Sequence, residues 1–347
     1  MRWKVNGFIS VLLLLSASVA NPTLAQAPRE DTSDLMMKGH NLSSQEADDL
    51  EAKLKVSPND LSIRAILLGY YSGKNERPLI EARQNHVLWV IENHPESELA
   101  GSSECEVLKS LNEEHYTQAR KVWLKQLELH ENEVTVLGNA ASFFFLEDKE
   151  LAESLLKRAE IMDPGNPEWP EQLGHLYSLE LGDTFGKTRR QAAARSLEKY
   201  ERALSLADNE FDEADLLGRV AKAAFEAGNM VKAKAQAAAL LGKYGQNKDS
   251  YGYDDAVFDG NQVLGRVALR TGNIASAKRH LLASARISGS PVLSSFGPDM
   301  TLAKELLEKR QQTAVVEYLH LCATFWDKAA RLKAWEDDIR KGRLPNF

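Results

Sequence analysis

The chain has 347 residues, with 43 Lys and Arg against 50 Asp and Glu, and a net charge of −7. An acidic balance argues against nucleic acid and anionic membrane as partners. The length exceeds what one compact core usually serves, and a lengthwise array escapes that limit.

The first residues carry Arg2 and Lys4 and no acid, and an apolar run follows over 8–20. That run is shorter than the roughly 20 apolar residues a membrane helix needs. Small residues then close two candidate cleavage sites, Ser18-Val19-Ala20 and Thr23-Leu24-Ala25. This pattern predicts a secretory signal peptide over 1–25 and a periplasmic or secreted protein. Its removal would take away two cations and make the chain more acidic, with no transmembrane segment left. Residues 26–42 are polar and aperiodic and are expected to form a flexible linker.

Helical signal begins at Ser43, three residues before Glu46, which is a capping-box spacing. From there Ala, Leu, Glu and Lys dominate and alternating β-branched runs are missing, so the prediction is all-α. Over 263–284 the chain shows Leu264-Gly265, a small residue at Ala268, Gly272, and then Ala277, Leu281 and Ser284. Gly265 and Ala268 let one helix lie close to the next. Gly272 ends that helix, and Ala277 and Ser284 keep the returning helix near. The frame recurs in Leu137-Gly138 with Ala152, Leu156, Ala159 and Pro164. It recurs again in Trp169, Leu173, Gly174, Tyr177, Tyr200 and Ala203. Further copies hold Val220, Ala221, Ala224, Gly228 and Ala233, then Leu302, Ala303, Leu306, Val315 and Cys322. Two weaker copies hold Ala65, Leu68, Ala82, His86 and Trp89, then Tyr116, Ala119 and Trp123.

This spacing resembles the tetratricopeptide repeat, a unit of about 34 residues made of two antiparallel helices. The resemblance implies a superhelical stack of such helix pairs, an α-solenoid, with about seven hairpins over 43–326. A C-terminal capping helix and tail would occupy 327–347 and cover the last apolar face with Trp335. Residues 183–193 are expected as an insertion loop exposing Lys187, Arg189 and Arg190, and 243–260 and 287–299 as long loops. The alternative fold is a closed helical toroid of the kind found in some carbohydrate-active enzymes. Such a toroid would not need the Leu-Gly and small-large-small spacing.

Cys105 and Cys322 fall in units far apart in a stack, so two separate buried thiols are expected. Trp89, Trp123 and Trp169 sit at or near repeat positions and are read as core.

No catalytic arrangement emerges. The eight His include no pair three or four apart, and neither a His-Glu-x-x-His stretch nor a phosphate-binding Gly-rich loop is present. The acids Asp249, Asp254, Asp255 and Asp259 lack calcium-loop spacing. The reading is therefore no catalytic, cofactor-binding or metal-binding residue, and not an enzyme.

In the family resembled, the first helix of each unit lines a concave groove. Ligand contacts come from the residue after the Leu-Gly pair and from those three and four further on. Carried over, these positions hold Asn139, Phe143, His175, Lys222, Phe225, Arg266, Arg270 and Lys304, with Ser142 and Leu179 among the neighbours. Lys222, Arg266 and Lys304 occupy one equivalent position and would form a basic stripe for an acidic or carboxylate-bearing peptide. The plainer reading is that these bases pair with acids on adjacent helices. The implied function is a non-enzymatic exported scaffold holding a peptide or protein segment. A carbohydrate-active enzyme or a structural subunit of an envelope assembly is the alternative.

Overall fold

A computed structural model describes residues 31–182, 184–250 and 252–347. The expected leader over 1–25 lies outside the described residues. Among those described, all regular structure is helical, and the chain divides into two compact units that meet at Tyr70 and Tyr71.

The first unit holds α1 (Thr32–His40), α2 (Ser44–Val56) and most of α3 (Leu61–Tyr71). Helix α1 overturns the expectation of a flexible linker across 26–42. Asp31 caps it by accepting from Ser33 N at 3.0 Å, and Leu35 and Gly39 are buried. The reason is two glycines at a helix crossing. A Cβ on Gly39 would lie 2.0 Å from Ile66 O, and one on Gly69 would lie 2.1 Å from Met36 O. Nine residues are too few to hold a helix by propensity alone, so this close contact with α3 supports it. The capping box at α2 is present as expected. Ser43 Oγ accepts from Glu46 N at 3.3 Å, and the Glu46 carboxylate accepts from Ser43 N at 2.8 Å.

The second unit opens with α4 (Arg77–Asn93), then two 3-10 turns at Glu98–Gly101 and Ser103–Cys105, then α5 (Glu113–Leu129). Five helix pairs follow. They are α6 (Val134–Phe144) with α7 (Lys149–Met162), α8 (Glu168–Leu179) with α9 (Gly186–Leu206), and α10 (Glu210–Glu226) with α11 (Met230–Lys243). The last two are α12 (Tyr253–Arg270) with α13 (Ile274–Ser284) and, after the short α14 (Pro291–Phe296), α15 (Thr301–Glu308) with α16 (Gln312–Cys322). From α6 onward each of these pairs packs internally and against the next, and α12 also touches α10 and α15. This is the stacked arrangement expected of an α-solenoid. Helix α17 (Ala329–Arg340) closes the end, stacking Trp335 on Trp326 with ring centroids 5.7 Å apart.

Three turns report the repeat phase. Gly228, Gly272 and Arg310 all have positive φ, at 87°, 80° and 59°. In each, the following residue donates its N–H five residues back: Asn229 to Ala224 O, Asn273 to Ala268 O, and Gln311 to Leu306 O. Such a bond satisfies carbonyls that the helix end would otherwise leave open. Asn229 and Asn273 then cap the next helix through their side chains, whereas Gln311 does not.

The expected hairpins need three corrections. The first helix of the copy around Tyr116 is absent, and the two 3-10 turns occupy its place. Residues 186–193 are no loop but the first turns of α9, because Lys, Arg, Gln and Ala there favour helix. Asp254, Asp255 and Asp259 lie on α12 rather than in a loop. The expected copy over 65–89 straddles the division between the two units. Cys105 and Cys322 are both free and buried, and burial pushes each thiol up to about 12. Trp123 and Trp169 are buried, while Trp89 is half-buried.

Candidate partner-binding face

The small residue after the Leu of each repeat copy sets how closely successive helices approach. A Cβ on Gly138 would meet Trp169 Cζ3 at 2.6 Å, and one on Gly174 would meet Tyr200 Cδ1 at 2.7 Å. The side chains that follow these glycines belong to one repeat position, and the structure uses them differently along the stack.

In α6 and α8 the predicted residues surround a cavity. It has a volume of about 370 Å³ and is lined by Ser142, Phe143, Phe145 and Leu146 from α6 and its end, and by Gln172, His175 and Leu179 from α8. The 3-10 segment from Ala100 to Glu106 completes the wall. Phe143 is buried and stacks parallel to Tyr116 at 5.5 Å, edge-on to Phe144 at 5.0 Å. His175 is exposed, with its ring 5.2 Å from that of Phe145. Partial desolvation, and then the Arg219 guanidinium, hold it below the ordinary imidazole value. Asn139 does not face this cavity as a free clamp. Its Nδ2 donates to Pro95 O and Ser97 O, both at 2.8 Å. It fastens the start of the 3-10 segment instead, and Gly101 leaves room for it, since a Cβ there would lie 2.3 Å from Asn139 Oδ1. Arg83 Nη2 fastens the other end by donating to Glu104 O at 2.7 Å and Glu106 O at 2.8 Å.

In α10, α12 and α15 the same position carries charge. Lys222 Nζ lies 2.7 Å from Asp259 Oδ2. Arg266 lies between two acids, with Nη1 2.9 Å from Glu226 Oε1 and Nη2 2.9 Å from Glu305 Oε1. Its guanidinium also sits 4.1 Å from the centroid of buried Phe225, and that of Arg270 sits 5.6 Å from the same ring. Arg189 adds a second cation to Glu226 at 2.9 Å. Burial opposes ionisation of Glu226, yet Arg266 and Arg189 outweigh it and hold this carboxyl below its usual range. The expected basic stripe is therefore neutralised at Lys222 and Arg266, while Arg270 and Lys304 are exposed.

The plainer reading, pairing with acids on adjacent helices, describes Lys222 and Arg266, but sequence reasoning did not say that Asp259, Glu226 and Glu305 are the partners. It also missed Arg219, which pairs with Asp215 and lies 3.9 Å from Glu171. The separation was the available signal: Arg266 meets its acids at 40 and 39 residues, about one repeat away on either side. The α12 acids have structural partners too. Asp254 accepts from Ser288 N at 3.3 Å and Asp255 from Ser290 Oγ at 2.6 Å, which ties down the segment leading into α14.

Among the described residues, no group of three or more His, Cys, Asp and Glu side chains is placed to hold a metal ion. None of the described helices is long and apolar enough to cross a membrane. No family model matches the sequence, and no curated protein matches it.

Proposed function

We propose that this chain is a non-enzymatic scaffold of tetratricopeptide type, exported to the periplasm or cell exterior. It holds a peptide or protein segment across the first helices α6, α8, α10, α12 and α15. The observation that carries this reading is the cavity at α6 and α8, lined by Phe143, His175 and Leu179 from the positions that would face a ligand in such a repeat. An apolar hollow with a few polar groups is the usual form of a binding site. Pairing at Lys222 and Arg266 means that an incoming carboxylate would compete with acids already in place. Arg270 and Lys304 are left to meet acidic residues of the segment.

The test is photocrosslinking in cells that make the protein. A benzophenone amino acid would be placed at Leu146 or Arg270 on the proposed face, and at Ile161 or Val231 on second helices as controls; all four are exposed. The reading expects one crosslinked species shared by Leu146 and Arg270 and missing at the controls. Equal crosslinking at all four positions, or none at the first two, overturns it.

A further inference from the structure

We infer that the cavity beside α6 and α8 is a site for an alkylammonium or alkylguanidinium group, with the Glu106 carboxylate as its counter-charge. The group comes from a Lys or Arg of the bound segment or from a free alkylamine; the first source rests on the reading of that face as a peptide-binding one. Glu106 is the one carboxylate among the lining residues, and neither Lys nor Arg lines the cavity. Glu106 is half-buried, and its carboxylate has no hydrogen bond or ion pair among the described residues. Arg83 feels its charge, but the Arg83 guanidinium donates to the backbone oxygens of Glu104 and Glu106 instead. Against that single cation stand two acids, Glu104 and Glu106, so this wall stays negative.

The other polar groups suit a guest rich in donors. Ser102 Oγ donates to Leu99 O at 2.8 Å and Ser103 Oγ donates to Glu104 Oε2 at 2.9 Å, so each hydroxyl has only lone pairs left to offer. His175 is held below the ordinary imidazole value and adds no positive charge at neutral pH. The carbon walls, from Phe143, Phe145, Leu146 and Leu179, match the aliphatic stem of Lys or Arg. The ring faces of Phe143 and Phe145 also attract a cation. The volume of about 370 Å³ falls at the small end of ligand sites, which suits a single long side chain rather than a stretch of chain. Ser103, Leu146 and His175 are exposed, so the hollow opens to water and the charged end keeps part of its hydration. An anionic guest would meet Glu106 with no base among the lining residues. A purely apolar guest would strip water from the carboxylate and give nothing back. The wall is also set before binding, because Arg83 and Asn139 fasten both ends of the 3-10 segment. Little ordering is therefore needed when the group enters. With acidic residues meeting Arg270 and Lys304, a cation here would fix the direction in which a bound segment lies.

The experiment pans a random twelve-residue phage library on the full chain and measures the enriched peptides by fluorescence anisotropy. The inference expects Lys or Arg at a shared position. Replacing that residue with norleucine, which keeps an unbranched stem and loses the charge, should weaken binding about tenfold, the scale of one charge-assisted hydrogen bond. On the Glu106→Gln variant, which leaves the backbone contact with Arg83 in place, the original and norleucine peptides should bind within about twofold of each other. Glu106→Ala takes its place if the Gln variant does not fold. Enriched peptides without a shared Lys or Arg, or a charge preference that persists in the Glu106 variants, overturn this inference and leave the peptide-binding reading standing. If the peptides bind but Leu179→Trp, which narrows the cavity, leaves all of them unaffected, the cavity assignment is overturned. Saturation-transfer NMR with pentylamine tests the free source. If nothing is enriched but pentylamine binds the wild type and not Glu106→Gln, the site stands with a free amine as its ligand and the peptide-binding reading falls. If nothing is enriched and pentylamine does not bind, both fall together.

Discussion

Helices α6 and α8 and helices α10, α12 and α15 present the same repeat position to the same face, yet they solve it differently. In the second group the position is cationic, and each of Lys222 and Arg266 reaches an acid on an adjacent first helix. In the first group it is Asn139 and His175, and among the described residues neither forms such an ion pair; a hollow remains beside the fastened 3-10 segment. The carboxyls differ in the same way. Glu226 is held below its usual range because two guanidinium groups outweigh its burial. Glu171 is pushed up because its burial outweighs Arg219. In a stacked array, a partly buried charge stays ionised where counter-charges one repeat away outweigh its burial, as at Glu226, and is discouraged where burial outweighs them, as at Glu171.

Removing the matched charge should have the largest effect. Arg266→Ala leaves Glu226 with only Arg189 and deprives Glu305 of its Arg266 partner, and should lower stability by about 3 kcal/mol in urea unfolding at pH 7. The gap should narrow with acid. Glu226 has a folded pKa below its ordinary 4.5, so its contribution is complete above that value and is lost as pH falls through the folded one. Glu171→Gln should behave oppositely, gaining on the wild type as pH rises above 4.5, since the folded state holds that proton more tightly than the unfolded. If both variants showed the same pH trend, the contrast between the two regions would be broken.

A paired glycine experiment sharpens the packing side of the comparison. Gly138→Ala drives a Cβ into the buried ring of Trp169 and should cost about 2 kcal/mol. In Gly218→Ala the nearest atom to the new Cβ is Asp259 Oδ2 at 3.3 Å. A carboxylate end can give way by a few tenths of an ångström, and helix propensity favours Ala over Gly by about 0.5 to 1 kcal/mol. Thermal unfolding should show Gly218→Ala unchanged or slightly stabilised. A similarly modest gain is expected at the turn after α15. Arg310 adopts φ 59° where the equivalent turns place Gly228 and Gly272. Arg310→Gly should relieve a left-handed side chain and raise stability by about 1 kcal/mol. An unchanged midpoint there would show that the turn carries no such strain.

The sequence by itself determined the helical class, the phase of the repeat and the ends of many helices. These depend on residues a few positions apart. Ser43 and Glu46 form their box within one turn, and Gly228 and Gly272 end their helices where the spacing placed them. Trp123 lies in the core because its neighbours recur with helical period. Tertiary structure alone decided the rest. Helix α1 depends on Gly39 meeting Ile66 O across a helix crossing, which no local pattern over 26–42 announces. The 3-10 segment replaces a helix because Asn139 and Arg83 fasten it from 42 and 21 residues away, measured to Ser97 and Glu104. Whether Arg266 is a free binding charge or a stacking charge was settled by acids one repeat distant on either side. Local periodicity says which face of a helix turns inward, but a partner that far along the chain comes within reach only once the helices have stacked in register.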